Sequence, residues 1–273
     1  MRLLEALRAA TDALQQAGIP SPKADAEWLL VCALGATRAV LLESNRVLTQ
    51  AQLKRYQAWV ARRAAREPLQ WILGSSEFYG LELELERGVL IPRPETERLV
   101  ELALERLPKF GRIVDVGCGS GAIALALKAE RPALEVWATD INPLAVALTL
   151  RNARRLGLTL QVRQTSLLDG LEGDFAAIIS NPPYLPSGDP LEPEVQQEPP
   201  EALFGGNDGL DLARLLVRCA TNNLLPQAWL MLELDPRNVA ILQQEMQQGA
   251  QQWHSSLAAD LAGRTRFLFA QRL

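Results

Sequence analysis

The feature that most constrains this chain is the run Ile113-Val114-Asp115-Val116-Gly117-Cys118-Gly119-Ser120-Gly121, where an apolar stretch stops at three alternating glycines and gives way to the helical pattern AIALALKAE. A short β-branched run bounded by glycine predicts a buried strand, and the glycines allow a tight turn that brings the backbone close to a ligand. The same alternation continues to the end of the chain. LEVWATDI, LTLQVRQTS, FAAIISNPPY, AWLMLELD and RTRFLFAQ read as further strands, and NPLAVALTLRNARRLG, DGLDLARLLVRCATNNL and VAILQQEMQQG as further helices. Strands alternating with helices predict an α/β fold with a mostly parallel, doubly wound sheet that binds ligands at its carboxyl edge.

The amino-terminal part follows a different period. Leu3, Leu4, Leu7 and Leu14, then Trp28, Leu29 and Leu30, then Leu53, Tyr56, Trp59 and Val60 recur at helical spacing and predict a small bundle over residues 1–75. Ser21-Pro22 is a start signal for its second helix, a capping hydroxyl followed by proline. After Pro68 the pattern switches to period two, with Leu81, Leu83 and Leu85 alternating with Glu82, Glu84 and Glu86. This predicts a β-hairpin, followed by a helix from Glu95 to Leu107, as a linker over residues 76–110 before the sheet domain of 111–273.

Composition removes several classes of function. Apolar runs end well short of the roughly 18 residues that a spanning helix needs, and the amphipathic start has no small-residue cleavage site, so a cytoplasmic protein is expected. Cys32, Cys118 and Cys219 are far apart and lack metal-ligand spacing, so neither a disulfide framework nor a metal site is expected. The single histidine, His254, lies in a polar stretch and would have to serve any histidine-dependent mechanism alone; it reads as a surface or packing residue. The net charge of −4 argues against phosphate neutralisation across a broad surface. It is unevenly spread, however. Residues 1–75 hold ten basic and six acidic residues, net +4, against −8 for the rest.

Three segments carry chemistry. Gly117, Cys118, Gly119, Ser120 and Gly121 form a GxGxG turn where dinucleotide enzymes favour GxGxxG. Asp140 ends the next strand, about 20 residues on, where an acidic side chain reaches a ribose hydroxyl pair; capping the following helix is its alternative role. Asn181-Pro182-Pro183-Tyr184 follows a later strand at the same sheet edge. Its prolines fix their own φ and bias the residues before them towards extended backbone, which holds Asn181 in place. A planar nitrogen has a delocalised lone pair and is a poor nucleophile. The Asn181 oxygen and a nearby proline carbonyl can accept both of its hydrogens and aim it at an electrophile. Tyr184 would add an aromatic wall. The alternative is a stiff turn that merely ends the strand.

NPPY after a glycine-loop domain resembles the class I methyltransferases that modify amide or exocyclic nitrogens. The segments EPLQWILGSSEFYGLELELERGVLIPRPETERLV, DVGCGSGAIALALKAERP, ATDINPLAVALTLRNARRLG, ISNPPYLP and EPPEALFGGNDGLDLARLL, with SPKADAEWLL near the start and DLAGRTRFLFAQ near the end, are similar to the HemK-type release factor glutamine methyltransferases. The resemblance covers nearly the whole chain. It implies a Rossmann-like seven-stranded methyltransferase sheet joined through the hairpin to the helical bundle, the bundle helping to hold the substrate protein. It further implies an S-adenosylmethionine-dependent protein-glutamine N-methyltransferase that acts on class I peptide chain release factors, at the glutamine of their Gly-Gly-Gln motif, and releases S-adenosylhomocysteine. Carried over by position, Gly117 to Gly121, Asp140, Ser166, Leu167 and Asn181 would contact the cofactor. Asn181, Pro182, Pro183 and Tyr184, with Arg93 and Glu95 of PRPETE, would contact the substrate, and Asn181, Pro182 and Tyr184 would be catalytic. On physics alone Arg93 and Glu95 could instead pair with each other, and Gly205 to Asp211 could be no more than a glycine-rich connection.

Two departures stand out. Ser166-Leu167 replaces an expected Asp-Leu or Asp-Trp, leaving adenine recognition to Leu167 packing and backbone contacts. Glu233-Leu234-Asp235-Pro236-Arg237-Asn238 replaces Glu-x-Gly-x-x-Gln, which brings that loop's glycine-dependent shape into question. Competing readings are a ribosomal protein glutamine methyltransferase, an adenine-N6 or guanine-N2 nucleic acid methyltransferase, for which the acidic catalytic half is unsuited, and a dinucleotide-binding oxidoreductase, in which NPPY has no role. A monomer without direct nucleic acid or membrane contacts is expected.

Overall fold

The computed structural model describes residues 1–43, 45–171, 173–249 and 252–273. The chain divides into two compact units, one of residues 1–75 with 191–197, the other of 76–190 with 198–273.

In the first unit, α1 (Leu3–Gln16), α2 (Pro22–Leu34), α3 (Gln50–Ala64) and the short α4 (Leu69–Leu73) bury Leu3, Leu14, Leu29, Leu30 and Tyr56 in a common core. Proline opens α2 as expected, but the Ser21 side chain makes no cap hydrogen bond; the hydroxyl cap is instead at Thr49, which accepts from Gln52 N at 3.2 Å. Arg63 is buried and donates to Asp25 at 2.7 Å and to Glu194 at 2.7 Å; Arg66 donates to the other Glu194 oxygen at 2.7 Å and Gln197 Nε2 to the Arg66 carbonyl at 2.8 Å, so polar contacts tie segment 191–197 to the helices.

The second unit opens with the hairpin β1 (Ser75–Phe78) and β2 (Leu81–Glu84) and with α5 (Pro94–Arg106). Phe78, Leu83, Leu99 and Val100 of these elements share one apolar cluster with Ile113 and Leu125 of the sheet layer. Then follow β3 (Gly111–Val116), α6 (Ala122–Glu130), β4 (Leu134–Asp140), α7 (Pro143–Leu156), β5 (Gln161–Gln164), β6 (Phe175–Ser180), α8 (Asp211–Asn223), β7 (Leu224–Glu233), α9 (Val239–Gln248), β8 (Trp253–Ala259) and β9 (Thr265–Arg272). Seven strands form one sheet in the order β5-β4-β3-β6-β7-β9-β8. The first five are parallel, and β9 lies antiparallel to both β7 and β8. The fold class is the expected one.

The residue pattern alone found six of these strands and missed β8. That segment lies at the sheet's edge, where its side chains alternate only between exposed and half-buried and are polar enough to read as loop. His254 is exposed on it, paired in register with Gln271.

From β3 the chain steps outward to β4 and β5, then returns to place β6 against the other side of β3, with Asp115 opposite Ile179. That reversal is the switch point at which open parallel sheets form a crevice beyond their carboxyl ends. The glycine loop leaves β3 there, and the asparagine–proline loop leaves β6 beside it.

Candidate active site

At the switch point lies a cavity of about 220 Å³. Gly117, Cys118, Gly119 and Ser120 line it from β3, Asp140 from β4, Ser166 and Leu167 after β5, Asn181 and Pro183 after β6, and Arg93 ahead of α5.

The glycine loop is held from behind by its neighbours. Gly117 and Cys118 donate their backbone N–H groups to the Thr139 carbonyl at 2.8 and 3.0 Å, and Gly119 donates to Asp140 Oδ2 at 2.9 Å. On its other side Thr149 Oγ1 donates to the Gly119 carbonyl at 3.1 Å and Asn152 Nδ2 to that of Ser120 at 2.9 Å, both from buried positions on α7. Gly121 is not part of the cavity lining. With φ +84 it starts α6, and a Cβ there would come 2.8 Å from Thr149 Cγ2, so glycine is required for the packing of this turn against α7.

Asp140 also accepts from Asn142 N at 2.8 Å, but the cap of α7 is Asn142, whose side chain accepts from Leu144 N at 2.9 Å. Burial raises the Asp140 carboxyl above its ordinary range, against the hydrogen bonds it accepts. Asp115, near the end of β3 and outside the cavity lining, is fully buried and pushed up to about 7 by burial. Its Oδ2 accepts from Ala124 N at 3.1 Å, while Oδ1 has no partner among the described residues. Burial raises the Cys118 thiol as well, so it stays protonated and is no nucleophile at neutral pH. Leu167 holds φ +51 and gives its carbonyl to Thr139 Oγ1 at 2.8 Å.

On the β6 side, Asn181 Nδ2 donates to Thr96 Oγ1 at 3.1 Å. Thr96, the threonine of the PRPETE segment, is buried in the first turn of α5 and lines the same cavity. Pro182 is buried and Tyr184 packs on the adjacent apolar cluster, and neither lines the cavity. Burial lifts the Tyr184 hydroxyl to about 12, so it is neutral. Phe78, Val89 and Leu212 are among the apolar residues of the lining.

Arg93 does not pair with Glu95. Its Nη2 donates to Glu198 Oε1 at 2.5 Å, and Glu198, buried, also accepts from Ile91 N at 3.0 Å. Glu95 lies outside the cavity lining, 3.6 Å from Arg264.

The segment from Gly205 to Asp211 is more than a connection. Leu185 N donates to the Leu203 carbonyl and Gly205 N to that of Leu185, both at 2.9 Å, in a short bridge beside NPPY. A Cβ on Gly205 would stand 2.3 Å from the Pro183 carbonyl oxygen, and one on Gly209 2.0 Å from that of Tyr184. Asn238 Nδ2 donates to the same Tyr184 carbonyl at 3.1 Å. The turn that holds Asn238 needs no glycine. No residue from 234 to 238 has positive φ, and Asp235 closes the turn by accepting from Arg237 N at 2.8 Å.

A glycine loop and a stiffened asparagine loop at the switch point of this sheet define the methyltransferase class of fold. The crystal structure of ribosomal protein L11 methylase from Lactobacillus delbrueckii subsp. bulgaricus matches it with a TM-score of 0.52 at 22% identity, over 69% of this chain and 83% of that one. Family models place a PrmC N-terminal domain at residues 5–74 and a methyltransferase small domain at 96–198. A release factor glutamine methyltransferase of Deinococcus radiodurans is 45% identical, covering 100% of this chain and 99% of the relative. Another, from Geobacter sulfurreducens, is 45% identical over 81% and 80%. The chain belongs to the release factor glutamine methyltransferase family.

Proposed function

We propose that this protein transfers the methyl group of S-adenosylmethionine to the side-chain amide nitrogen of a glutamine, that of the Gly-Gly-Gln motif in class I peptide chain release factors. The observation that carries the reading is the Asn181–Thr96 hydrogen bond at the wall of the cavity that the glycine loop and Asp140 also line. Family membership supports the cofactor and the acceptor.

The residues present fit a cationic cofactor. Asp140 gives the cavity a carboxyl group, and at Gly117 an added Cβ would meet no protein atom within 4 Å, so the lining leaves room for a ligand against its backbone. Gly117 to Ser120 would hold the methionine part, Asp140 the ribose, and Leu167 the adenine. Bound there, S-adenosylmethionine supplies an electrophilic methyl on a sulfonium.

With Nδ2 committed to Thr96, the Asn181 Oδ1 remains to accept one hydrogen of the glutamine amide, and a backbone carbonyl of the proline pair accepts the other. This fixes the amide plane and turns the nitrogen towards the methyl. It also stabilises the positive charge that grows on nitrogen in the transition state. Transfer leaves a positively charged N-methylated amide that still carries both hydrogens; this cation is strongly acidic and gives up one proton without a dedicated base to yield the neutral product, in keeping with a cavity lined by no histidine.

In this reading residues 1–75 help hold the protein substrate, 76–110 are the hairpin and linker, and 111–273 carry the transfer. The protein works as a cytoplasmic monomer. Incubating the protein with purified release factor and labelled cofactor, then mapping the modified residue by mass, tests the assignment. The expected result is one methyl on that glutamine. Label on an oligonucleotide or on a ribosomal protein in its place would overturn it.

A further inference from the structure

The cavity is short of positive charge. Among the described residues that line it there are two acids, Asp140 and Glu201, and a single cation, Arg93. The cofactor carries an α-carboxylate at its methionine end, and a carboxylate taken out of water needs hydrogen-bond donors or an opposite charge. The glycine loop has few donors to offer it. Gly117 and Cys118 donate their N–H groups to the Thr139 carbonyl, Gly119 to Asp140 and Gly121 to the Cys118 carbonyl, which leaves only the N–H of Ser120.

Arg93 is held in one place from both sides of its Cα. Pro92 and Pro94 bracket it; each fixes its own φ, and Pro94 biases Arg93 towards extended backbone, found here at φ −98 and ψ 140. The side chain is then pinned by Glu198. Glu198 Oε1 accepts from Arg93 Nη2 at 2.5 Å, and Oε2 accepts from the backbone N–H of Ile91 at 3.0 Å. One carboxylate, with 1% of its side chain exposed, therefore ties the guanidinium to the main chain two residues upstream. This uses one of the five N–H donors of an arginine. Arg93 makes no other hydrogen bond among the described residues, and 28% of its side chain is exposed, so donors remain open at the cavity.

We propose that Glu198 is a positioning residue that presents the open donors of Arg93 to the α-carboxylate of S-adenosylmethionine. Arg93 then belongs to the cofactor half of the site rather than to the acceptor half. A guanidinium fixed at one nitrogen keeps its remaining N–H groups in a set plane, which suits a planar carboxylate. Glu198 also adds negative charge near the anion it helps to bind. Its charge alone opposes cofactor binding, whereas its hold on Arg93 favours it, and the guanidinium charge offsets the repulsion. The two contributions have opposite signs, so removing Glu198 tells them apart.

The test is calorimetry of the full chain with S-adenosylhomocysteine and with S-adenosyl-3-thiopropylamine, the same molecule with hydrogen in place of the carboxylate. The wild type should bind the first about tenfold to a hundredfold more tightly, the range of a hydrogen bond to a charged group. Arg93→Ala should erase this preference by weakening S-adenosylhomocysteine alone. Glu198→Gln keeps an acceptor for Ile91 N but turns an NH2 towards the guanidinium. It should weaken S-adenosylhomocysteine about tenfold and leave the affinity of the analogue in place. In the Arg93→Ala background the same change should cost no further preference.

A Glu198 that served the fold alone would shift both ligands together on substitution, and one that acted only through its charge would leave Glu198→Gln binding S-adenosylhomocysteine more tightly. Either result would overturn the inference, as would a wild type that binds the two ligands equally. Should Glu198→Gln fail to fold, Glu198→Asp keeps the charge and an acceptor for Ile91 N while drawing the carboxylate back from Arg93 by one methylene. It should show the same selective loss, and an unchanged preference there would overturn the hold on Arg93. The inference rests on S-adenosylmethionine as cofactor and on no particular acceptor. Failure of S-adenosylhomocysteine to bind at all would overturn the cofactor and the inference with it, whereas binding without preference overturns the inference alone.

Discussion

After β3 the chain turns on glycines, and after β6 it turns on prolines. The glycine loop reaches its shape through positive φ at Gly117, Gly119 and Gly121, and its backbone groups are taken up by Thr139, Asp140, Thr149 and Asn152. The asparagine–proline loop has no positive φ. It is stiff in itself and is braced from outside, by Gly205 and Gly209 against its carbonyls, by Asn238, and by Thr96 on Asn181. The first loop lines the cavity with its backbone; the second holds the Asn181 side chain at the cavity wall. Glycine therefore does different work on the two sides, forming the cradle on one and making room for a brace on the other.

The widest separation between the loops should come from Asn181→Ala. Removing the one aimed acceptor should cost about 10²- to 10³-fold in kcat, the usual range for a lost transition-state hydrogen bond, with S-adenosylhomocysteine affinity in calorimetry nearly unchanged. Asp140→Ala should do the reverse, losing affinity first. Equal losses of affinity in both variants would mean that the two loops do not divide the labour.

Gly209→Ala comes next. The added Cβ would lie 2.0 Å from the Tyr184 carbonyl oxygen at φ +78, so either the brace or the NPPY backbone has to move. A stability loss above roughly 2 kcal/mol is expected. Turnover should fall and cofactor affinity hold, although residue 209 lies far from Asn181 in sequence. Unchanged kcat and melting temperature would remove the bracing role.

How much of this was legible follows from the range of the contacts. The glycine turn, Asp140 and the stiff Asn181 are short-range patterns whose meaning is set by adjacent residues, and each lies where its spacing placed it. The braces are long-range. Thr96 is 85 positions from Asn181, and Asn238 is 54 from Tyr184, so no local pattern links them. The PRPETE and GGNDGLD segments were visible as motifs without a mechanism. Their use depends on Arg93 finding Glu198 and on two glycines meeting carbonyls, which only the assembled sheet edge decides. Pro182 and Tyr184 fall outside the cavity lining for a related reason. Proximity in sequence to Asn181 put them at the cavity, whereas successive residues in an extended segment face opposite ways.

The acidic groups offer a further contrast through pH. Asp115 under the glycine loop and Glu233 behind the proline loop are both held at about 7, above the ordinary 3.8 and 4.5. The folded state thus binds these protons more tightly than the unfolded chain, so the stability they confer is complete below about pH 4 and is lost as pH climbs to about 7. Asp115→Asn keeps an acceptor for Ala124 N and removes the charge. It should raise the melting temperature at about pH 8 by the equivalent of about 2 kcal/mol, leave it unchanged at about pH 4, and flatten the decline between. A steeper decline in the variant would reverse the sign of this account.

The smallest expected effect falls on the cradle itself. At Gly117 (φ +73) an added Cβ meets no protein atom within 4 Å, in contrast to Gly209. The cost to the fold of Gly117→Ala is then only that of a left-handed alanine, about 1 kcal/mol, or roughly 2–4 °C in a chain of this size. Gly117 lines the cavity, however, so the added methyl group would enter the space proposed for the cofactor. Calorimetry with S-adenosylhomocysteine should show a loss of affinity out of proportion to the small change in melting temperature, while Gly209→Ala shows the opposite ratio. If both variants lose stability and affinity in the same proportion, the two loops are one mechanical unit, and the division between cradle and brace fails.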